Sequence, residues 1–208
     1  MIGKFIQEYH NAFVGQNYEQ MYMLKKGLKV FKERGVHAAK AEVSQMHHRM
    51  CFCAMTVKEL SHREQEWAQE GLLFLTEKKD GSVKGRLTYN GKKTQEWISK
   101  ADKSSPTAHT ESLLLTAAID VHQRRNVMTM DIPNTSIQAL LPLNLGGEQV
   151  IMKVWGLLVD WLVKLDPAQY ANKVGYENGC RVLYREILHV MFGMLIASLL
   201  WYPKLRKD

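Results

Sequence analysis

The chain has 208 residues and a mass of 24.0 kDa, room for one large domain or two small ones, and its 46% hydrophobic content excludes a disordered polymer. Lys and Arg outnumber Asp and Glu by 28 to 21, giving a net charge of +7 and a pI near 9.2, a balance that suits a polyanionic partner without identifying one. The three cysteines (Cys51, Cys53 and Cys180) and a start, MIGKFIQEYHN, without a long apolar core argue against a secreted disulfide framework and for a reducing intracellular compartment, cytoplasmic or nuclear.

Residues 1–30 scatter Met, Tyr and Lys and read as a loosely held extension ahead of a domain over 31–208. Between Glu33 and Met50, Val36, Ala39, Val43 and Met46 recur at three- and four-residue spacing, which predicts an amphipathic helix with Lys40 and Glu42 toward water. His47, His48, Cys51 and Cys53 lie close enough together to raise a zinc site. Zinc ligands usually come as two separated pairs, however, and no second pair exists here. In an extended segment the single-residue gap also points Cys51 and Cys53 to opposite sides, so a helix end followed by a half-buried strand is the better reading.

Ser61 stands three residues before Glu64 in a capping-box arrangement that predicts a short charged helix, closed by Gly71. A β-hairpin follows: Leu72 to Glu77, a turn at Lys79-Asp80-Gly81-Ser82, and a return strand from Val83 to Tyr89 closed by Asn90-Gly91. The return strand alternates Val83, Gly85, Leu87 and Tyr89 on one face with Lys84, Arg86 and Thr88 on the other, so two cations project side by side with Lys92 and Lys93 just beyond. Such a face can grip phosphates through charge and the forked donors of arginine. Taken by itself, the stretch is read more economically as a solvated strand face.

Pro106 or Thr107 opens a helix reaching about Arg124, with Leu113, Leu114, Ala117, Ala118 and Val121 as its buried face. Val127, Met128, Met130 and Ile132 then form an apolar strand carrying Asp131 at its end, and Pro133 stops the strand and can start a short helix. A corner of this kind exposes a carboxylate while burying its neighbours, a place to hold a metal ion or a substrate; capping the next helix is the commoner role.

A second strand is predicted over 148–154 after a turn at Asn144 to Gly147, then a short helix or buried extended segment over 156–166 ended by Pro167. Gly175 to Gly179 reads as a loop, Arg181 to Tyr184 as a short strand, and an apolar helix from about Glu186 closes the chain. Residues 187–202 are nearly all apolar, but these 16 residues fall short of the ~20 that span a bilayer and include His189 and Ser198, so a buried helix is expected. A membrane-associated protein anchored here, with the basic tail KLRKD, is an alternative. The element order is α+β, without repeats.

KGRLTYNGKKTQ matches in order the form K-A-R-L-V-A-K-G-F-x-Q, with Lys84, Arg86 and Gly91 at the same spacing and Gln95 one residue further on. SPTA at 105–108 is similar to S-P-V-A, TESLLLTAAIDVHQRRNVMTMDIPNTSIQA to the helix and strand that carry M-D-V-K-T-A-F-L-N-G, and MFGMLIASLLWY to L-Y-G-L-K-Q-A-P-R-A-W-Y. From roughly Met23 onward the chain therefore resembles the reverse transcriptase domain of copia-type LTR retrotransposons. The resemblance implies a partial right-hand polymerase, with residues 72–100 in the fingers and 110–154 starting an incomplete palm sheet with packed helices. It implies an RNA template, a DNA primer and deoxynucleotides as partners and Mg2+ or Mn2+ as cofactor. Asp131 would be a catalytic, metal-binding carboxylate for an ion pair ~4 Å apart that activates the primer 3′-hydroxyl and stabilises the leaving pyrophosphate. Lys84 and Arg86 would neutralise the triphosphate, and Ser136 would stand beside the sugar.

The departures from that pattern shape the expectation. The family has an aromatic side chain at the Ser136 position that selects deoxynucleotides, and a small hydroxyl cannot supply that barrier. Ile196 and Ser198 replace the Gln and Pro of the last motif, the Tyr-x-Asp-Asp hairpin does not follow before Asp208, and no Asp-Asp pair occurs anywhere. One carboxylate does not hold two divalent ions. The expectation is a reverse transcriptase fragment that is inactive alone, with an open apolar edge at the Asp131 strand and marginal stability. A non-catalytic nucleic-acid-binding remnant that uses the same basic hairpin is the alternative.

Overall fold

The structure, a computed structural model, describes residues 20–92, 108–128, 132–141 and 149–207. The described chain opens on a short strand, β1 (Met21–Met23), that runs directly into a long helix, α1 (Leu24–His48). Residues 21–30 are therefore a strand and a helix rather than the loose extension expected, and Tyr22, Leu24 and Leu28 pack against the core. Their spacing hides this because α1 breaks at Lys32, whose φ is 48°, and the break shifts the phase of the helical pattern. Beyond it α1 buries Ala39, Val43 and Met46 as predicted, and also Glu42, which was expected in water.

Strand β2 (Phe52–Met55) leads to a short helix, α2 (His62–Trp67), built on the predicted capping box: Glu64 N–H donates to Ser61 Oγ at 3.2 Å and Ser61 N–H to Glu64 Oε2 at 2.7 Å. The Ser61 hydroxyl also donates to Glu64 Oε2 at 2.7 Å, and this bond, with that from Ser61 N–H, holds the Glu64 carboxyl below its usual range. Strand β3 (Gln69–Glu77) starts earlier than predicted, and β4 (Val83–Tyr89) has the predicted bounds and returns antiparallel beside it, with Leu73 opposite Leu87 and Glu77 opposite Val83.

Helix α3 (Thr110–His122) forms where expected, but its apolar side is not buried: Leu113, Leu114, Leu115 and Val121 are all exposed. Composition marks that side as apolar, whereas burial needs an opposing surface, and none of the described residues provides one. Nor do residues 125–128 make a strand, and Val127 and Met128 are exposed. The turn at Pro133 and Asn134 does lead into a short helix, α4 (Thr135–Gln138).

Strand β5 (Ile151–Trp155) and helix α5 (Leu157–Leu165) follow. Pro167 then opens a further turn, α6 (Pro167–Tyr170), whose Gln169 N–H is capped by Asp166 Oδ1 at 3.0 Å. The expected loop at Gly175 to Gly179 is a hairpin, joining β6 (Gly175–Glu177) to a longer strand, β7 (Cys180–Ile187), through Asn178 and Gly179, both at positive φ. The closing helix, α7 (Ala197–Lys207), begins eleven residues later than Glu186. Before it, residues 188–196 are irregular, with Val190, Met191, Met194 and Ile196 buried and Gly193 exposed; several of their backbone groups bond outside the segment, to Cys51, Ala139, Leu141 and Tyr89, while Met194 N–H bonds within it to Met191 O. No described helix is long and apolar enough to cross a membrane.

The strands form one seven-stranded mixed sheet ordered β1-β3-β5-β7-β2, with β4 on β3 and β6 on β7. Since β4 pairs with β3 over 71–77, β1 and β5 share the other edge of β3. Helices α1 and α5 cover one side, where Leu73, Leu75, Leu87, Met152, Val154 and Leu183 meet Ala39, Val43, Met46, Val159 and Leu162. The architecture is mixed α+β, and α1 lies directly across the hairpin.

Candidate functional site

The alternation of β4 is as predicted: Gly85, Leu87 and Tyr89 are buried, while Lys84 and Arg86 are exposed. Cross-strand pairing extends this outer face into rows, Lys84 with Thr76 and Met21, Arg86 with Phe74 and Met23, and Thr88 with Leu72. Both cations therefore stand at one margin of a partly apolar platform. A guanidinium and an ammonium bind phosphate oxygens by charge and hydrogen bonding, and an apolar or aromatic platform accepts a base or sugar.

The hairpin is held at its tip and along its length. At the tip, Ser82 N–H donates to Asp80 Oδ1 at 2.9 Å and Ser82 Oγ to the same atom at 2.6 Å, which keeps the Asp80 carboxyl below its usual range. Arg34 on α1 donates to Glu77 Oε1 at 3.1 Å and to the Gly81 carbonyl at 2.8 Å. Along the strand, Gly85 lets α1 approach closely, since a Cβ there would lie 2.8 Å from the Ala38 carbonyl oxygen. Glu42, one turn further on, reaches past it and accepts the Leu87 N–H on Oε1 at 2.9 Å.

The irregular segment 188–196 meets β4 at its far end. Tyr89 N–H donates to the Phe192 carbonyl at 2.7 Å, Thr88 and Phe192 form a parallel bridge, and the Arg86 guanidinium lies over the Phe192 ring, 5.7 Å from its centroid. Gly193 permits this approach. Its φ is +86°, and a Cβ would sit 2.2 Å from the Tyr89 carbonyl oxygen. On its other side the segment takes the stretch after α4, with Val190 N–H donating to Ala139 O at 2.9 Å, Leu141 N–H to Leu188 O at 2.9 Å, and His189 Nδ1 lying 2.8 Å from Ile137 O.

The predicted site residues divide accordingly. Lys84 and Arg86 are brought together on one face. Asp131 and the side chain of Ser136 lie outside the described residues, although the backbone of α4 that carries Ser136 is joined through Ile137 to the segment touching β4. Lys93 and Gln95 also lie outside them. Periodicity did not reveal Glu42 and Phe192. The available signals were the glycines beside them, Gly85 between two cations and Gly193 inside an apolar run.

The cysteine and histidine cluster lies on a helix end followed by a half-buried strand, as expected. Cys51 is fully buried, with its thiol pushed up to about 11 by burial, and Cys53 faces outward. His47 Nδ1 is 2.7 Å from the Tyr170 hydroxyl, His48 Nδ1 is 2.7 Å from the Ser44 carbonyl, and no group of three His, Cys, Asp or Glu among the described residues is placed to hold a metal. Nearby, Arg185 is 1% exposed, its guanidinium 3.9 Å from the centroid of the Phe52 ring.

No family model, no curated protein and no solved structure matches the chain.

Proposed function

We propose that this chain is the fingers and the beginning of the palm of a copia-type reverse transcriptase, and that Lys84 and Arg86 grip the phosphates of an incoming deoxynucleotide. One observation carries the reading. Two stretches that match separate family motifs and lie about a hundred residues apart, KGRLTYNG and MFGMLIAS, meet in space through Tyr89 and Phe192, with Arg86 lying over the Phe192 ring. Nothing in the local sequence of either stretch requires that meeting.

In this reading the hairpin contributes binding and orientation. Arg86, set on an aromatic ring, offers its remaining edge to a phosphate, Lys84 adds a second charge on the same face, and the platform of Leu72, Phe74 and Met23 lies beside them. Asp131 is assigned to the divalent metal, Mg2+ or Mn2+, which when bound supplies nucleophile activation and leaving-group stabilisation, and Ser136 is assigned to the sugar. Asp131 lies outside the described residues.

Two measurements test the reading. Binding of a deoxynucleoside triphosphate by the full chain is expected to weaken at least about tenfold in a Lys84→Ala, Arg86→Ala double variant, since each charge-assisted contact is worth roughly 1.5–3 kcal/mol. Unchanged binding would sink the assignment. Primer extension on an RNA template with Mg2+ or Mn2+ is expected to give no product from these 208 residues, because they contain no Asp-Asp pair. Salt-dependent binding of single-stranded nucleic acid, lost with Lys84 and Arg86, without binding of a deoxynucleoside triphosphate favours the non-catalytic nucleic-acid-binding remnant that shares this face.

A further inference from the structure

Glu42 is the buried acid of α1. It is 8% exposed, lies behind β4 on the side opposite the cations, and accepts the N–H of Leu87, the residue that follows Arg86. Gly85, between Lys84 and Arg86, brings the helix close enough for this, for its Cβ position lies only 3.1 Å from Glu42 Cβ. The contact therefore fixes the backbone beside Arg86, and among the described residues the edge of β4 away from β3 is otherwise met only at Thr88 and Tyr89, by Phe192. Burial raises the Glu42 carboxyl above its ordinary range, while Lys84, Arg86 and the Leu87 N–H pull it back.

We infer that Glu42 is a positioning residue for the phosphate-binding face: its carboxylate oxygen holds β4 against α1 so that Lys84 and Arg86 stand in register to engage one phosphate chain. The inference rests on the proposed role of that face and goes beyond it, because Glu42 itself touches no ligand.

Electrostatics alone predicts the opposite outcome, which makes the test sharp. Removing a negative charge behind two cations should strengthen anion binding. If Glu42 positions the strand, its loss should weaken binding although the face becomes more positive. The measurement is titration of the full chain with inorganic tripolyphosphate, at a temperature where circular dichroism shows each variant folded. Glu42→Ala is expected to bind about three- to tenfold more weakly, the range of one lost hydrogen bond, and Glu42→Gln, which keeps the acceptor, within about twofold of the parent. If Glu42→Ala does not fold, Glu42→Leu, which keeps the bulk and drops the acceptor, takes its place. If neither folds, the glutamine variant decides alone: parental binding with a slowly exchanging Leu87 amide supports the inference, and weakened binding overturns it. Binding by Glu42→Ala equal to or tighter than the parent, or a glutamine variant as weak as the alanine one, also overturns it. A parent chain that binds no tripolyphosphate, or one whose binding survives loss of both Lys84 and Arg86, overturns the role of the face itself and this inference with it.

Discussion

Glu42 and Arg185 are long charged side chains of which at most 8% is exposed, one on α1 behind β4 and the other on β7, and the two halves of the sheet accommodate them differently. Glu42 has a backbone donor at 2.9 Å and feels two cations on the next face. Arg185 has an aromatic ring at 3.9 Å, and its three guanidinium nitrogens find no acceptor among the described residues. Burial depresses its pKa to about 9, low for arginine but still charged at neutral pH. A buried charge with a partner can organise what surrounds it. One without a hydrogen-bond acceptor mainly costs stability, and nothing in the structure explains why this position carries arginine.

The largest effect is expected at the seam that joins the hairpin to residues 188–196. Gly193→Ala would require a side chain at φ +86° and place its Cβ 2.2 Å from the Tyr89 carbonyl oxygen. Left-handed strain alone costs about 1–3 kcal/mol, and the backbone collision must add to it, so a loss of about 3 kcal/mol or more in denaturant unfolding is expected. A change below about 1 kcal/mol would mean that the Gly193 approach does not define the seam.

Arg185→Met is expected to act in the opposite direction. Methionine keeps much of the volume and the contact with Phe52 and removes the buried charge, so stability should rise by about 2 kcal/mol. The readout is the urea midpoint, with tripolyphosphate binding as the control that should not move. A lower midpoint would show that Arg185 has a partner in solution, and the contrast with Glu42 would collapse.

The same contrast shows what a linear sequence can carry. The hairpin was readable because strand alternation and a Lys-Asp-Gly-Ser turn are local, and the Ser61–Glu64 cap was readable for the same reason. Lys84 and Arg86 were readable as neighbours on one face, since side-chain period alone decides that. Glu42 was not. Helical spacing locates the stripe of Ala39, Val43 and Met46, but only the approach of β4 at Gly85 determines that Glu42, at the edge of that stripe, is buried. The run from Ile187 to Ile196 reads as helix because a continuous apolar stretch has no period to test, and its one signal of irregular backbone is Gly193. Asn178-Gly179 is a local hairpin signal that a loop assignment overlooks. The exposed apolar side of α3 marks the opposite limit, because composition records a preference for burial and not whether a surface is there to meet it.

The smallest expected effect is the most specific test of how the two halves of the binding face work together. Phe192 contributes a carbonyl to Tyr89 and a ring beneath Arg86, and Phe192→Ala removes only the ring. A cation–π contact at a partly exposed site is worth about 0.5–1 kcal/mol, so tripolyphosphate binding should weaken roughly two- to fivefold. Phe192→Tyr, which keeps the ring, should bind like the parent, and the alanine change should have no effect in a chain already carrying Arg86→Ala. That non-additivity is the decisive readout: a ring that orients the guanidinium loses its role once the guanidinium is gone, whereas a ring that merely stabilises the fold weakens binding with or without Arg86.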